Sequence, residues 1–262
     1  NLASNYKINR YDTNKLSNFL VNDFDWDIKE INFNSGIKSK IIGNFKNLIY
    51  NTKNLEEYKE ETSNEFYGAL GYLTEINFIK ENNLIQHLLK PKLLLRYSPG
   101  SMRKDNDGSR LNPVSAFNLN RVDNIYNFEN GLNATVGLDY KIKKNDTELD
   151  FSVAQIINEK ENKKMSSTTS LDEKLSDLVG SANLKLNDKI KLNYDFSLDQ
   201  NYNNLNYNEI GTTINLGPIN FGFDYLEERK HIGNKNYFKS RIEYDNNENR
   251  VLSFETKRNL VT

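Results

Sequence analysis

Two histidines, His87 and His231, and no cysteine are all that these 262 residues offer to imidazole or thiol chemistry. The histidines stand in separate segments with no metal-site spacing, so both are expected on the surface or in loops, and no metal is expected. The lack of Cys excludes a disulfide framework, a zinc ribbon and a thiol nucleophile within the chain. Carboxylates are plentiful, but no stretch marks one out as a general acid or base. Glycines are scattered, with no phosphate-cradling loop. No catalytic residue and no cofactor is expected. The polar groups with most to offer occur at alternate positions: Lys191, Asn193 and Asp195 in one segment, and Asn133, Thr135 and Asp139 in another. Such side chains hydrogen-bond and solvate; in a hollow barrel they would face the lumen and line a path, or simply keep the lumen wet.

The elements that must hold them are legible in the hydrophobic period. Ile190, Leu192, Tyr194, Phe196 and Leu198 share one face of a period-2 pattern whose other face is polar. The alternation recurs at Leu132, Ala134, Val136, Leu138, Tyr140 and Ile142, and at Ile37, Ser39, Ile41, Gly43, Phe45, Asn47 and Ile49. Weaker copies run over 68–78, 89–97, 149–153, 180–186, 210–216, 219–225, 238–244 and 252–256. These make about eleven or twelve strands. Asn187-Asp188, Gly217-Pro218, Gly233-Asn234 and Asp245-Asn246-Asn247 suit tight turns, so antiparallel hairpins in a meander are expected. Two connections are long: Ser98 to Pro113, with Pro99-Gly100 and Asp107-Gly108, and Asn158 to Asp177. In the second, Ser170-Leu171-Asp172-Glu173 matches a capping box, so either a short helical turn or an irregular loop is expected there.

Composition narrows the class. Formal net charge is −1, with 35 basic and 36 acidic residues spread along the chain, so no basic stripe points to nucleic acid. No apolar run approaches the ~18 residues of a membrane-spanning helix. The first residue is Asn, with no leader, so a fragment or mature segment is expected. Several strand candidates reach the roughly 9–11 residues that cross an apolar band when tilted, against about 5–6 in ordinary sheets. Low mean hydropathy, −0.76, fits walls that are apolar at alternate positions only. Tyr97, Tyr140, Tyr225 and Tyr244 fall near the ends of apolar faces, as an interfacial girdle or plain β-propensity would have them. The expectation is an all-β, antiparallel transmembrane β-barrel, with residues 1–262 part of one larger barrel domain and further strands beyond both ends, since an unpaired edge is not viable in lipid.

Short motifs then add a resemblance. Asn118-Leu119-Asn120-Arg121, followed by Glu129-Asn130-Gly131 and by Ala134-Thr135-Val136-Gly137-Leu138-Asp139-Tyr140, resembles the middle of the barrel of the LptD lipopolysaccharide-assembly family. Ser152-Val153-Ala154-Gln155 is similar to that family's strand ending in Gln, and Ser176-Asp177-Leu178-Val179-Gly180 to its Ser-Asp step into the next strand. Lys90-Pro91-Lys92 with Tyr97-Ser98-Pro99-Gly100 resembles the alphaproteobacterial branch. One step departs: Val122-Asp123-Asn124-Ile125 stands where the family has a Gly-containing Asp-Arg step. The resemblance implies a non-enzymatic translocon in the cell outer membrane of a Gram-negative bacterium. It would receive lipopolysaccharide from an LptA-like periplasmic bridge and release it into the outer leaflet through a lateral opening between the first and last strands. It also implies an LptE-like lipoprotein plug in the lumen, surrounding membrane lipids, and a periplasmic domain that cannot be recognised in this chain. The alternatives are a general porin or receptor barrel, or a soluble carbohydrate-binding β-protein with its oily faces turned inward.

Overall fold

The computed structural model describes residues 1–10, 14–82, 84–106, 108–229, 233–245 and 251–260. It contains fifteen strands: β1 (Leu2–Arg10), β2 (Leu16–Asp27), β3 (Ile31–Asn32), β4 (Ile37–Lys53), β5 (Ser63–Ile76), β6 (Phe78–Glu81) and β7 (Gln86–Ser98) precede the longest connection. After it come β8 (Gly131–Lys144), β9 (Thr147–Asn158), β10 (Leu178–Lys185), β11 (Ile190–Leu198), β12 (Leu205–Leu216), β13 (Ile219–Glu228), β14 (Lys235–Asp245) and β15 (Val251–Asn259). All belong to one antiparallel sheet in chain order, with β3 and β6 as short additions to β4 and β7. The eleven segments picked out by alternation are β4, β5 and β7 through β15. The expected count of eleven or twelve is therefore too low: β1 and β2 are also full strands, and β3 and β6 extend the pairing.

The physical reason is visible in β2. Leu16, Leu20 and Phe24 lie on one face, but Phe19 and Val21 are buried on the other, at 5 % and 1 % exposure, and pack with Leu48 and Tyr50. With apolar groups on both faces the period-2 signal cancels. In β7, Pro91 occurs mid-strand, where it cannot donate to a ladder. It falls at the break between the β5 and β6 pairings, opposite Leu138 on its other side.

Connections at the two ends of the sheet differ from β7 onward, whereas 28–36 and 77–85, which carry β3 and β6, are as long as 54–62 at the opposite end. At one end are the turns 145–146, 186–189 and 217–218, with Asn145 and Gly217 at positive φ and the Asn187 carboxamide accepting from the amides of Lys189 and Ile190. At the other end are the segments 54–62, 99–130, 159–177 and 199–204. Asp107, His231 and residues 246–250, including Asn246-Asn247, lie outside the described residues. Of the two readings of Ser170–Glu173 the irregular loop holds, running on toward β10; a 3-10 turn forms just before it, at Ser167–Thr169 with Ser166 as its N-cap, and Ser170 closes that turn at φ 59° instead of opening a helix.

The two faces differ as well. The face covered by the long connections, here the inner face, takes Asn133, Thr135, Gly137 and Asp139 of β8 and Arg96 and Ser98 of β7. The outer face exposes Leu95, Tyr97, Leu132, Val136, Ile210, Phe223 and Ile242. The inner face is not uniformly polar: 99–130 and 159–177 bury Met102, Leu111, Ala116, Val122, Met165 and Leu171 against Ala154, Ile156 and Val179. Rows of paired residues also show how the strands tilt. Tyr225, near the loop end of β13, runs through Ile210, Tyr194, Ala182 and Phe151 to Tyr140, near the short-turn end of β8. Tyr97, at the loop end of β7, runs through Leu70 and Gly43 to Trp26, near the short-turn end of β2. Aromatic residues of opposite ends share a row only if strands lean across the apolar band, as in a barrel.

Candidate functional site

The long connection 99–130 is tied to the inner wall by a buried ionic knot. Arg121 donates from Nε to the Glu129 carboxylate at 2.7 Å and makes a second, shorter bond from Nη2, giving a bidentate pair. Arg96, projecting from β7 with no exposure, sits 3.6 Å from the same carboxylate, donates from Nε to the Leu119 carbonyl at 2.5 Å and also bonds the Glu129 carbonyl. Asn120 accepts from the Glu129 amide at 3.0 Å, and Asn133 donates to the Glu129 carboxylate at 3.3 Å. Burial alone would push the Glu129 carboxyl up, but the guanidiniums of Arg121 and Arg96 hold it below its ordinary value. Two like cations thus share one buried anion, and Arg96 also satisfies main-chain carbonyls of the loop.

Further along, the 3-10 turn Ser115–Phe117 presses on β8. Thr135 donates to the Ala116 carbonyl at 3.0 Å, and the Phe117 ring occupies the space over Gly137, where a Cβ would come within 2.7 Å of it. Lys92 lies 4.6 Å over the same ring and pairs with Asp139 at 2.8 Å. A second knot holds 159–177. Asp177 accepts from Ser197 at 2.8 Å and from Asn206 at 2.7 Å, the Ser176 hydroxyl accepts from the Ile156 amide, and Gln155 donates to the Ser176 carbonyl at 2.9 Å. Gly180, beside it, leaves room for the Phe196 ring, 2.2 Å from where its Cβ would stand.

At the mouth, Arg103 forms a bidentate pair with Glu65 and its guanidinium lies 4.5 Å over the Tyr58 ring. Burial raises the Tyr58 hydroxyl to about 12, the nearby Arg103 working against that rise.

The six alternating polar residues therefore divide. Asn133 and Thr135 are sealed under the loop, and Asp139 is paired with Lys92. Lys191, Asn193 and Asp195 lie on the inner face and line a trough that segment 110–114 of the loop borders on the Asp195 side. Two cavities of about 450 Å³ each share Asn183 and Asp195 there; Lys185, Glu148 and Asp150 edge one of them, and Arg110 and Tyr207 the other. The motif residues come together in a way their spacing does not announce: Asn120, Arg121 and Glu129 in one knot with Gly131 beside it, its carbonyl 3.5 Å from Arg96, and Gln155, Ser176 and Asp177 in the other. Missed from sequence were Arg96 and Phe117, which no periodic pattern distinguishes from ordinary strand or loop residues, while Lys92 stood in the Lys90-Pro91-Lys92 motif with no role assigned. His87 bonds the Tyr140 hydroxyl at 3.0 Å, and among the described residues no group of His or carboxylate side chains is arranged to hold a metal ion.

Comparison with known families now decides the identity. The LptD family, described as LPS transport system D, matches residues 50–257. The chain belongs to the LptD family. Its single antiparallel sheet is accordingly a β-barrel wall, and its role lies in lipopolysaccharide transport and assembly at the outer membrane of Gram-negative bacteria. LptD proteins are transport and assembly proteins with lipopolysaccharide as cargo, not a known enzyme family. The match spans both knots and the trough. No curated protein matches the chain.

Proposed function

We propose that residues 1–262 form part of one outer-membrane β-barrel domain, and that this barrel inserts lipopolysaccharide into the outer leaflet by lateral release. The observation that carries the proposal is the division of the inner face. At the loop end it is filled by 99–130 and 159–177, packed on an apolar core and pinned by buried polar knots. Below that plug the polar trough of Lys191, Asn193 and Asp195 is open. A glycolipid whose sugars and phosphates followed the trough would meet the plug before the loop end, so the low-energy exit is sideways through the wall. The acyl chains, which gain by leaving water, would pass into the membrane on the same side.

An LptE-like lipoprotein filling the remaining lumen and an LptA-like bridge delivering cargo from the periplasm complete the reading as its partners. Neither the bridge nor the plug supplies the polar groups named here, so the trough can be tested by itself. In cells depleted of the native protein, full-length protein carrying Asn183→Trp and Asn193→Trp is expected to assemble yet to lower surface lipopolysaccharide, labelled on intact cells, at unchanged total lipopolysaccharide. Undiminished surface labelling with the trough filled would contradict the proposal and favour a porin-like role.

A further inference from the structure

Asn130-Gly131 is the only Asn-Gly step in the chain, and the fold fixes both of its residues. Gly131 opens β8 at φ +110°, a conformation that residues with a side chain rarely adopt. Asn130 is half-buried; it donates from Nδ2 to the Gly100 carbonyl at 2.8 Å and accepts through Oδ1 from Asn162 at 3.0 Å. It therefore ties the end of 99–130 both to the start of that connection and to 159–177. Glu129, the anion of the buried knot, is the residue before it.

The pair carries a chemistry that neither residue has alone. Once the Gly131 main-chain nitrogen loses its proton it can attack Cγ of Asn130. The new Cγ–N bond closes a succinimide ring, the Cγ–Nδ2 bond breaks, and Nδ2 takes up a proton and leaves as ammonia. Water then adds to either ring carbonyl and reopens the ring, giving an aspartyl residue or an isoaspartyl residue whose main chain runs through Cβ and Cγ. One water enters, one ammonia leaves, and no oxidant or cofactor takes part. Glycine favours the attack because it sets no Cβ beside the nitrogen. Water has access, since an open cavity of about 290 Å³ is lined by Asn130, Gly131, Asn133, Asn158 and Asn162. What the closed plug prevents is the motion. Cγ must swing onto the Gly131 nitrogen, which requires the bonds to Gly100 and Asn162 to break while Gly131 is held in register opposite Ser98.

We infer that Asn130 is a site of spontaneous deamidation gated by the plug: it is stable while 99–130 and 159–177 are latched together and converts when they open. The change runs one way. A carboxylate at this position sets an acceptor against the Gly100 carbonyl, where Nδ2 had donated, and adds a second anion beside Glu129. The isoaspartyl form lengthens the main chain between Glu129 and the first pair of β8. Either product weakens the latch that protected the asparagine. Because conversion draws only on opened molecules, its rate reports how often the loop opens. The inference does not depend on the route that lipopolysaccharide takes through the wall.

The test is peptide mass spectrometry of full-length protein incubated at mildly alkaline pH, folded in detergent or unfolded in urea. Trypsin then releases the peptide from Val122 to Lys141, which carries Asn130. Asn34, followed by Ser35 in the exposed turn between β3 and β4, is the internal control. Deamidation at Asn130 should be at least about tenfold slower in the folded protein than in urea, with a much smaller difference at Asn34. Glu129→Gln, which breaks the knot, should raise the folded-state rate at Asn130 about tenfold or more and leave Asn34 unchanged. Should that variant fail to assemble, as heat-modifiable mobility would show, Asn162→Ala removes one bond to Asn130 and should give a several-fold rise. Asn130→Asp should speed tryptic cleavage of the folded protein within 99–130 several-fold. Equal rates at Asn130 in detergent and urea, no response to the assembled variant, or unchanged cleavage of Asn130→Asp would overturn the inference.

Discussion

Glu129 is the residue on which the hold of the long loop converges. It is 3 % exposed, and its carboxylate answers two guanidiniums, one from the loop and one from β7. Replacing it with Gln leaves Arg96 and Arg121 buried with no counter-charge, which costs about 3–5 kcal/mol in comparable sites. Trypsin should then cut full-length protein in detergent much faster within 99–130, where Arg103, Arg110 and Arg121 offer sites; an unchanged cleavage rate would show that the ion pair does not anchor the loop. The pH dependence has a definite sign. The folded-state carboxyl is held below its unfolded value, so its contribution is complete above the ordinary carboxylate range and is lost as pH falls through the depressed value. Loop cleavage by an acid-stable protease should accelerate only on the acid side. At the other knot, Asp177→Ala removes the shared acceptor of Ser197 and Asn206, and a loss of about 1–3 kcal/mol in unfolding free energy is expected.

Between strands and loops, Gly137 is the point of closest approach. A Cβ there would lie 2.7 Å from the Phe117 ring and 2.9 Å from the Val153 carbonyl oxygen. Gly137→Val should lift the 3-10 turn from β8 at a cost of about 1–3 kcal/mol. Adding Phe117→Ala should recover part of the loss, as a thermal-shift series would report; no recovery would place the strain in the backbone contact alone. This scale also shows what the sequence could and could not announce. Strands with one oily face, such as β8 and β11, declare themselves by period 2. β2 does not, because Phe19 and Val21 fill the inner side against Leu48. The folding of 99–130 into the interior is equally silent: Met102, Leu111, Ala116 and Val122 recur with no regular period, and the Arg121–Glu129 pair spans eight residues of irregular chain. Short motifs singled out Asn120, Arg121, Glu129 and Asp177, but only the structure brings Arg96 to them.

At the scale of the molecule, the described β1 and β15 each pair on one side only. Residues 1–262 expressed alone should therefore aggregate through these edges, and a monodisperse, detergent-free fragment with cooperative unfolding would contradict that. The central claim is that the wall has an inner polar path for glycolipid and an outer apolar face. It is tested most directly by photocrosslinking in cells from full-length protein, with a probe at Asn193 in the trough or at Phe196 on the outer face of the same strand. The account predicts lipopolysaccharide adducts at Asn193 that rise with the rate of lipopolysaccharide synthesis, and none with that dependence at Phe196. Asn193 capturing no lipopolysaccharide while the barrel assembles normally would contradict it.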